Sequence, residues 1–345
     1  MKVSIFFLGL LLLQQAPNCF SQSDWTAAIA KIESNRRYWN ETYSITVASA
    51  DSLLFQRDNK LFNNKTPIPL GAISQWLTAT LLVKLADEGK LSLDDPVSMY
   101  LPVFNKYFKG YITIRHCLSQ GIGLEDRNGL RIASRTKFVS LEEEVEDLAT
   151  RPIVAKPGEL FLYGEIGSKI AGRVAEVVSK KKFDILIRSK VLTPLAMRRT
   201  SFTNLSGGPL DPAAGAVSTG EDLIRFLQFF LKKGQMTQGT FLSADAFEQL
   251  IQLQFESTQT QNTPSLYRGY GYALGSWGLG NAATTAHTLL ASSRAGNWIA
   301  VDLCRQFLYV GVVKEKMNEE KDMLHQELLD IIKKQLITNC TADPS

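Results

Sequence analysis

Residues 67–89 read PIPLGAISQWLTATLLVKLADEG, and the rest of the chain can be arranged around them. The two prolines predict an extended approach to Gly71. Beyond it, apolar side chains recur at helical spacing, namely Ile73, Trp76, Leu77, Leu81 and Leu85. Gly89 is a typical helix terminator. The segment therefore predicts a helix over about Ala72–Gly89 that is entered from an extended strand.

Helical and strand-like patterns on either side of this segment predict an α+β fold. Predicted helices cover Asp24–Asn35, Gly167–Lys180, Phe183–Val191, Gly220–Lys233, Ala244–Phe255 and Glu315–Ile337. Predicted strands cover Tyr43–Ala48, Leu53–Gln56, Tyr270–Trp277, Thr284–Ala291, Asn297–Val301 and Phe307–Val313. We expect strands from both ends of the chain to share one antiparallel sheet. The domain would have a sheet lobe, about 22–90 and 206–345, and a mostly helical inserted lobe, about 91–205.

Composition is that of an ordinary globular protein. The 345 residues are 45% hydrophobic and 21% charged, with a net charge of +4. The densest basic run, Lys180–Lys182, reads as a solvated helix end. We therefore expect no nucleic-acid partner, and no later segment is apolar enough for a stable membrane span.

The N-terminus has the features of a signal peptide over residues 1–21. Lys2 precedes a short apolar run, Ile5–Leu13, and the mature chain would begin near Gln22. Cys19 raises the alternative of a lipoprotein anchor, but the residues before it fit that signal poorly. We expect a secreted or periplasmic protein.

Cysteine and histidine residues give no metal or cofactor site. Cys117, Cys304 and Cys340 would remain after cleavage, and an odd number gives no disulfide framework. The three histidines are scattered, and the chain has no HExxH motif.

Several ordered motifs resemble the serine β-lactamase-like and penicillin-binding-protein-like hydrolases, which include the class C β-lactamases. They are Leu70–Gln75, Glu88–Val97, Tyr100–Pro102, Ile112–His116, Pro157–Tyr163, Pro194–Met197 and Ala216–Thr219. The resemblance covers nearly the whole mature chain. It implies a β-lactamase/transpeptidase-like fold and an acyl-transfer cleft between the two lobes.

The positions that match the family's nucleophile and base hold Ala72 and Gln75. In the family a serine is followed three residues later by a lysine that takes its proton. Alanine carries no nucleophile and glutamine accepts no proton at ordinary pH. Ser74 is a poor substitute, since it lies about 200° around the helix from Ala72.

The second and third motifs are also altered. Tyr163 keeps the tyrosine of the second motif, either as a base or as a packed ring, and Glu165 replaces its asparagine. His287, Thr288 and Leu289 are the best match to the third, where the family has a glycine that lets substrate lie against the strand. We expect Ala72, Gln75, Tyr163 and His287 to converge between the lobes, with Leu289 crowding the groove.

Three functions remain open. The first is a catalytically silent binding or scaffolding module, whose partner is a cell-wall peptide, a small acyl ligand or a protein. The second is an active esterase, peptidase or β-lactamase with a rearranged site. The third is a structural surface protein whose old cleft is filled by Leu289 and Leu290.

Overall fold

The computed structural model describes residues 24–39, 42–59, 62–125, 138–203, 208–236, 239–260, 263, 265–280, 285–314, 316, 318–336 and 340. The predicted signal peptide and Cys19 lie outside these residues. So do Thr284, the first residue of a predicted strand, and Glu315 and Met317 at the start of a predicted helix. Within the described part, no helix is long and apolar enough to cross a lipid bilayer.

A seven-stranded antiparallel sheet forms the centre of the molecule, in the order β2-β1-β12-β11-β10-β9-β8. Its strands are β1 Tyr43–Ala48, β2 Leu53–Asp58, β8 Gly271–Tyr272, β9 Trp277–Leu279, β10 Thr288–Ser293, β11 Asn297–Asp302 and β12 Phe307–Val313. Tyr43 pairs with Val313, so the first and last strands are neighbours. The prediction that both ends of the chain share one sheet is confirmed.

Short strands form two smaller sheets. Ile68–Pro69 (β3), Ser201–Phe202 (β4) and Ala216–Ser218 (β5) make a three-stranded sheet, and β3 is the extended approach that the prolines predicted. Gln235–Met236 (β6) and Gly239–Thr240 (β7) form a hairpin.

Helices cover both faces of the main sheet. They are α1 Thr26–Ser34, α2 Ser74–Asp87, α3 Val103–Lys106, α4 Ile114–Leu118, α5 Leu141–Thr150, α6 Ile166–Ser179, α7 Phe183–Ile187, α8 Gly220–Leu231, α9 Ala244–Ile251 and α10 Glu319–Gln335. Between residues 97 and 192 the described regular elements are all helical. The α+β class is as predicted, while the lobe boundaries near residues 90 and 205 stay predictions.

Alternate residues of each central strand point into two different apolar clusters. On β10, Leu289 and Ala291 face the cluster that contains α2 and α8, whereas Leu290 faces an aromatic cluster that is closed by α10. Every residue of β10, β11 and β12 is buried. Because both faces of the sheet are covered, β12 is apolar along its whole length, and the polar residues of β10 and β11 lie at the ends of those strands.

One disulfide, Cys304–Cys340, joins the turn after β11 to the segment after α10. Cys117 is buried and free. The expectation of no disulfide framework from an odd cysteine count is corrected here, since one of the three cysteines simply packs in the core.

Candidate functional site

The first motif lies at the start of α2. Gly71, Ala72 and Ile73 form one turn of 3-10 helix that leads into Ser74. Gly71 has a left-handed φ of +51°, and a Cβ there would lie 3.1 Å from the Cβ of Ser293. A side chain at position 71 would therefore be strained twice over, by its backbone and by this contact. Ala72 follows at a partly exposed position.

Gln75, one turn after Ala72, is buried and fixed by neutral hydrogen bonds. Its Oε1 accepts from Gln120 Nε2 at 2.6 Å and from Ser168 Oγ at 3.3 Å. Gln120 Oε1 in turn accepts the backbone N–H of Gly164 at 3.1 Å. The structure thus joins the first motif to the second, because Gly164 is the middle residue of Tyr163-Gly164-Glu165.

Tyr163 belongs to an aromatic wall beside this network. Its ring lies 5.2 Å from that of Trp277 and 6.0 Å from that of Tyr272, whose hydroxyl is 3.3 Å from Gln120 Nε2. Burial, with a smaller contribution from the nearby Glu165 carboxylate, raises the pKa of Tyr163 to about 12. The phenol therefore stays protonated at neutral pH and is a poor general base.

Glu165 and the buried Lys169 form a charge cluster at the start of α6. Lys169 Nζ lies 2.8 Å from Glu144 Oε1, 3.5 Å from Glu165 Oε2 and 3.6 Å from Asp211 Oδ2. Burial lowers the pKa of Lys169, but the three carboxylates outweigh it and raise the pKa overall. The ammonium group is held in its charged form, so it is no base. Glu165, which the motif match aligns with the family's asparagine, forms an ion pair with Lys169 one helical turn later.

Ser74 points away from Ala72, as the helical wheel predicted. It is fully buried, and its Oγ accepts the backbone N–H of Ala216 at 3.1 Å. The hydroxyl tightens the junction between α2 and β5.

The strand β10 meets the first motif through Ser293 rather than through His287. Residues 71–73 pack against β10, and Ser293 is the residue beside Gly71. His287 lies six residues earlier, roughly 20 Å along an extended strand. Its backbone N–H donates to Leu279 O, and its Nδ1 lies 3.1 Å from Thr288 Oγ1. The expected convergence of His287 with Ala72 is corrected accordingly.

Thr288 and Leu289 are fully buried next to β9. Leu289 pairs with Gly278 and packs in the cluster that contains α2. It is a core side chain and does not crowd a substrate groove from the strand edge. β9 covers β10 only from Thr288 to Leu290, so the register of β9 leaves the segment Ala291–Ser293 without a partner strand on that side within the described residues.

Gln120 is the site residue that sequence reasoning missed. It is buried, and its backbone is left-handed with φ of +66°. Such a conformation is uncommon for a residue with a Cβ and is concentrated at functional sites. The one sequence signal was a lone amide between Ser119 and Gly121 in an otherwise apolar run.

A comparison with protein-family models matches residues 29–329 to the family described as Beta-lactamase. The chain belongs to the beta-lactamase family. This beta-lactamase family member has the family's framework around Ala72 and Gln75, and the family resemblance of the sequence motifs is confirmed.

Solved structures give the same fold for this beta-lactamase family member. A putative beta-lactamase from Bacteroides dorei is similar with a TM-score of 0.76 and 24% identity, covering 90% of this chain and 99% of that one. A class C beta lactamase from Rhodobacter sphaeroides has a TM-score of 0.70 at 17% identity, covering 89% and 99%. At these identities the likeness establishes the fold alone.

Curated relatives match over shorter stretches. Protein flp of Staphylococcus aureus (strain COL) is 29% identical over 175 residues, which are 44% of this chain and 34% of that protein. Penicillin-binding protein 4 of Amycolatopsis lactamdurans is 25% identical over 238 residues, 60% of this chain and 62% of that protein. The match thus spans about a third of Protein flp.

Proposed function

We propose that this protein is a non-catalytic member of the beta-lactamase family that binds a ligand in the former acyl-transfer cleft. The observation that carries the proposal is Gln75, a neutral amide whose oxygen is held by Gln120 and Ser168 one turn after Ala72. Acyl transfer needs a nucleophile and a group that takes its proton, and this pair of positions offers neither.

Nearby side chains do not replace the missing pair. Tyr163 has a pKa of about 12, so at neutral pH almost none of it is phenolate. The hydroxyl of Ser74 accepts a backbone N–H, and that of Ser168 donates to Gln75. Lys169 is held as an ammonium ion by three carboxylates. A rearranged hydrolase would need a base that these residues do not supply.

The cleft nevertheless retains features that favour a peptide or acyl ligand. A peptide can add to a strand edge that has no partner strand through backbone hydrogen bonds, and β9 leaves the buried segment Ala291–Ser293 unpaired on that side. Gln75 Nε2 has no hydrogen-bond partner among the described residues, so it can donate to a ligand carbonyl. Export is part of the proposal, and the Cys304–Cys340 disulfide supports an oxidising compartment.

Intact-mass spectrometry after incubation with a fluorescent penicillin or a p-nitrophenyl ester tests the absence of acylation. We expect no adduct with the natural sequence, and none with Ala72→Ser alone, since an unactivated hydroxyl is a weak nucleophile. Ala72→Ser with Gln75→Lys is the positive comparison. Turnover by the natural sequence that disappears when one cleft residue is changed would establish the hydrolase alternative.

Thermal unfolding with an N-acyl dipeptide tests binding. A ligand that binds only the folded state raises the melting temperature with its concentration. Ala72→Trp should abolish that shift by filling the cleft floor, whereas Ala27→Trp on the exposed side of α1 should keep it. Absence of any shift with acyl and peptide probes would instead favour a plugged cleft.

A further inference from the structure

A groove lined by arginines lies outside the cleft, where the helical segment after α7 turns back towards β4. This arginine groove has a volume of about 490 Å³, and a second section of about 560 Å³ adjoins it. The groove is lined by Arg188, Leu192, Thr193, Ala196, Met197, Arg198, Arg199, Thr200 and Ser201. None of the proposed cleft residues takes part in it.

Most of the positive charge of this arginine groove has no ion-pair partner among the described residues. Its lining contains three arginines and no acidic residue. Arg188 and Arg198 are exposed and form no ion pair with any described residue. Arg199 is 3.8 Å from Glu221 and its side chain is 54% exposed, so that pair is weak.

Cations of the adjoining section are paired, which confines the unpaired charge to the arginine groove. Arg225 lies 2.7 Å from Asp222, and Lys232 lies 2.8 Å from Asp51. The groove is thus a local concentration of positive charge in a chain whose net charge is only +4.

The backbone of the groove is held in place by the buried Asp222. Its Oδ2 accepts the backbone N–H of Arg199 at 2.7 Å and the hydroxyl of Thr200 at 2.8 Å. The turn at Ala196 is fixed in a left-handed conformation with φ of +56°. Carbonyls of the preceding helical segment are also satisfied, since Leu192 O accepts from Met197 and Arg188 O accepts from Thr193. An anion in the groove would therefore meet guanidinium groups that are carried on a fixed backbone. The carbonyls of Arg188 and Leu192 are already hydrogen-bonded.

We propose that the arginine groove binds a ligand with two or more closely spaced phosphate or sulfate groups. Each guanidinium presents a planar fork of N–H donors that matches two oxygens of a tetrahedral oxyanion. Three such forks exceed what a single carboxylate can use, and the volume lies in the range of small-molecule sites. Phosphate and sulfate share this chemistry.

Isothermal titration of the natural sequence with myo-inositol hexakisphosphate and with a fully sulfated oligosaccharide distinguishes the two sources of oxyanion. Citrate serves as the carboxylate comparison. Arg188→Gln with Arg198→Gln should weaken binding at least about tenfold, because bidentate charge-assisted hydrogen bonds are lost. Lys181→Gln with Lys182→Gln removes the same charge from an exposed run outside the groove and should change the affinity by less than about twofold.

Loss of binding in the arginine pair alone, with an unchanged melting temperature, supports the proposal. Equal weakening in the arginine and lysine pairs would show diffuse attraction and overturn it. So would citrate binding as tightly as the phosphate and sulfate probes, or no binding of either probe by the natural sequence up to about 1 mM.

Discussion

The side-chain amide of Gln120 donates a hydrogen bond of 2.6 Å to the side-chain oxygen of Gln75, across a sequence separation of 45 residues. Gln120 also accepts from the backbone of Gly164. Two amides therefore hold the start of α2 to the loop before α6. A neutral hydrogen bond thus joins the residue one turn after Ala72 to the Tyr163-Gly164-Glu165 motif.

Gln120→Ala should lower the free energy of unfolding by about 1–3 kcal/mol, because it leaves the Gly164 N–H and part of the Gln75 amide without partners. Gln56→Ala, on the exposed face of β2, should stay within about 0.5 kcal/mol of the natural sequence. Urea unfolding measures both. Gln120→Gly should be milder than Gln120→Ala, since glycine adopts the left-handed backbone without cost; equal losses would show that the backbone carries no strain.

Lys169→Met should be among the most damaging substitutions, at about 3–5 kcal/mol, because it leaves Glu144, Glu165 and Asp211 facing one another without a cation. The matched change Lys156→Met removes an exposed partner of Glu159 and should cost less than about 1 kcal/mol. Chemical denaturation compares the two. A small effect at position 169 would mean that the cluster relaxes into solvent.

The contribution of Lys169 to stability should not vary with pH in the neutral range. Its pKa in the folded state is raised above the ordinary 10.5. The stabilisation is therefore complete below about pH 10 and is lost only as the pH rises through the folded pKa. Urea unfolding of the natural sequence and of Lys169→Met at about pH 7 and about pH 9 measures this, and the difference between the two proteins should be the same at both values. A difference that shrinks between them would contradict the prediction.

His325 should make stability fall in mild acid. It is fully buried between Trp39 and Trp298, with its Nδ1 2.6 Å from the Tyr309 hydroxyl, and burial lowers its pKa to about 3. The unfolded chain takes up a proton near pH 6.5 while the folded chain does not. The contribution of neutral, buried His325 to stability is therefore fully present above about pH 6.5. Below it, the free energy of unfolding declines towards pH 3 by up to about 1.4 kcal/mol per pH unit.

Two variants isolate this effect in urea titrations at pH 7 and pH 5. His325→Phe should remove this part of the pH slope, whereas Tyr309→Phe should keep the slope and lose only the hydrogen bond. If the natural sequence and His325→Phe have the same slope, His325 is not the residue that titrates.

Reduction of Cys304–Cys340 should lower the free energy of unfolding by about 3–4 kcal/mol, the chain-entropy value for closing a loop of this size. Cys304→Ser with Cys340→Ser should behave like the reduced protein and should not respond further to reductant. Cys117 should resist alkylation in the folded state, because it is fully buried and burial raises its thiol pKa. Thermal unfolding with and without reductant, and thiol labelling, measure these outcomes.

The sequence predicted the parts of the site that depend on local pattern. Helical spacing placed Ala72 and Gln75 one turn apart and turned Ser74 away, and the structure agrees with both. The hairpin Tyr43–Asp58 followed from its two β-rich runs, though β2 extends two residues beyond its predicted end at Gln56.

The parts that failed depend on neighbours distant in sequence. The unpaired edge of β10 begins at Ala291 because β9 is short, and nothing in residues 287–293 encodes the length of β9. The altered third motif therefore pointed to His287, whereas Ser293 is the residue that meets Gly71. Likewise the cysteine count could not indicate that one of three thiols would be buried in the core.

The pairing of Tyr43 with Val313 has a consequence for biosynthesis. β1 lies between β2 and β12, so one of its two neighbours is made about 270 residues later. Contacts at such separation form slowly, because loop closure has to precede them. A ribosome must therefore have released nearly the whole chain before the central sheet can close. Until then β1 has no inner neighbour, so its unpaired edge is open to wrong strand pairing and aggregation during most of the chain's synthesis.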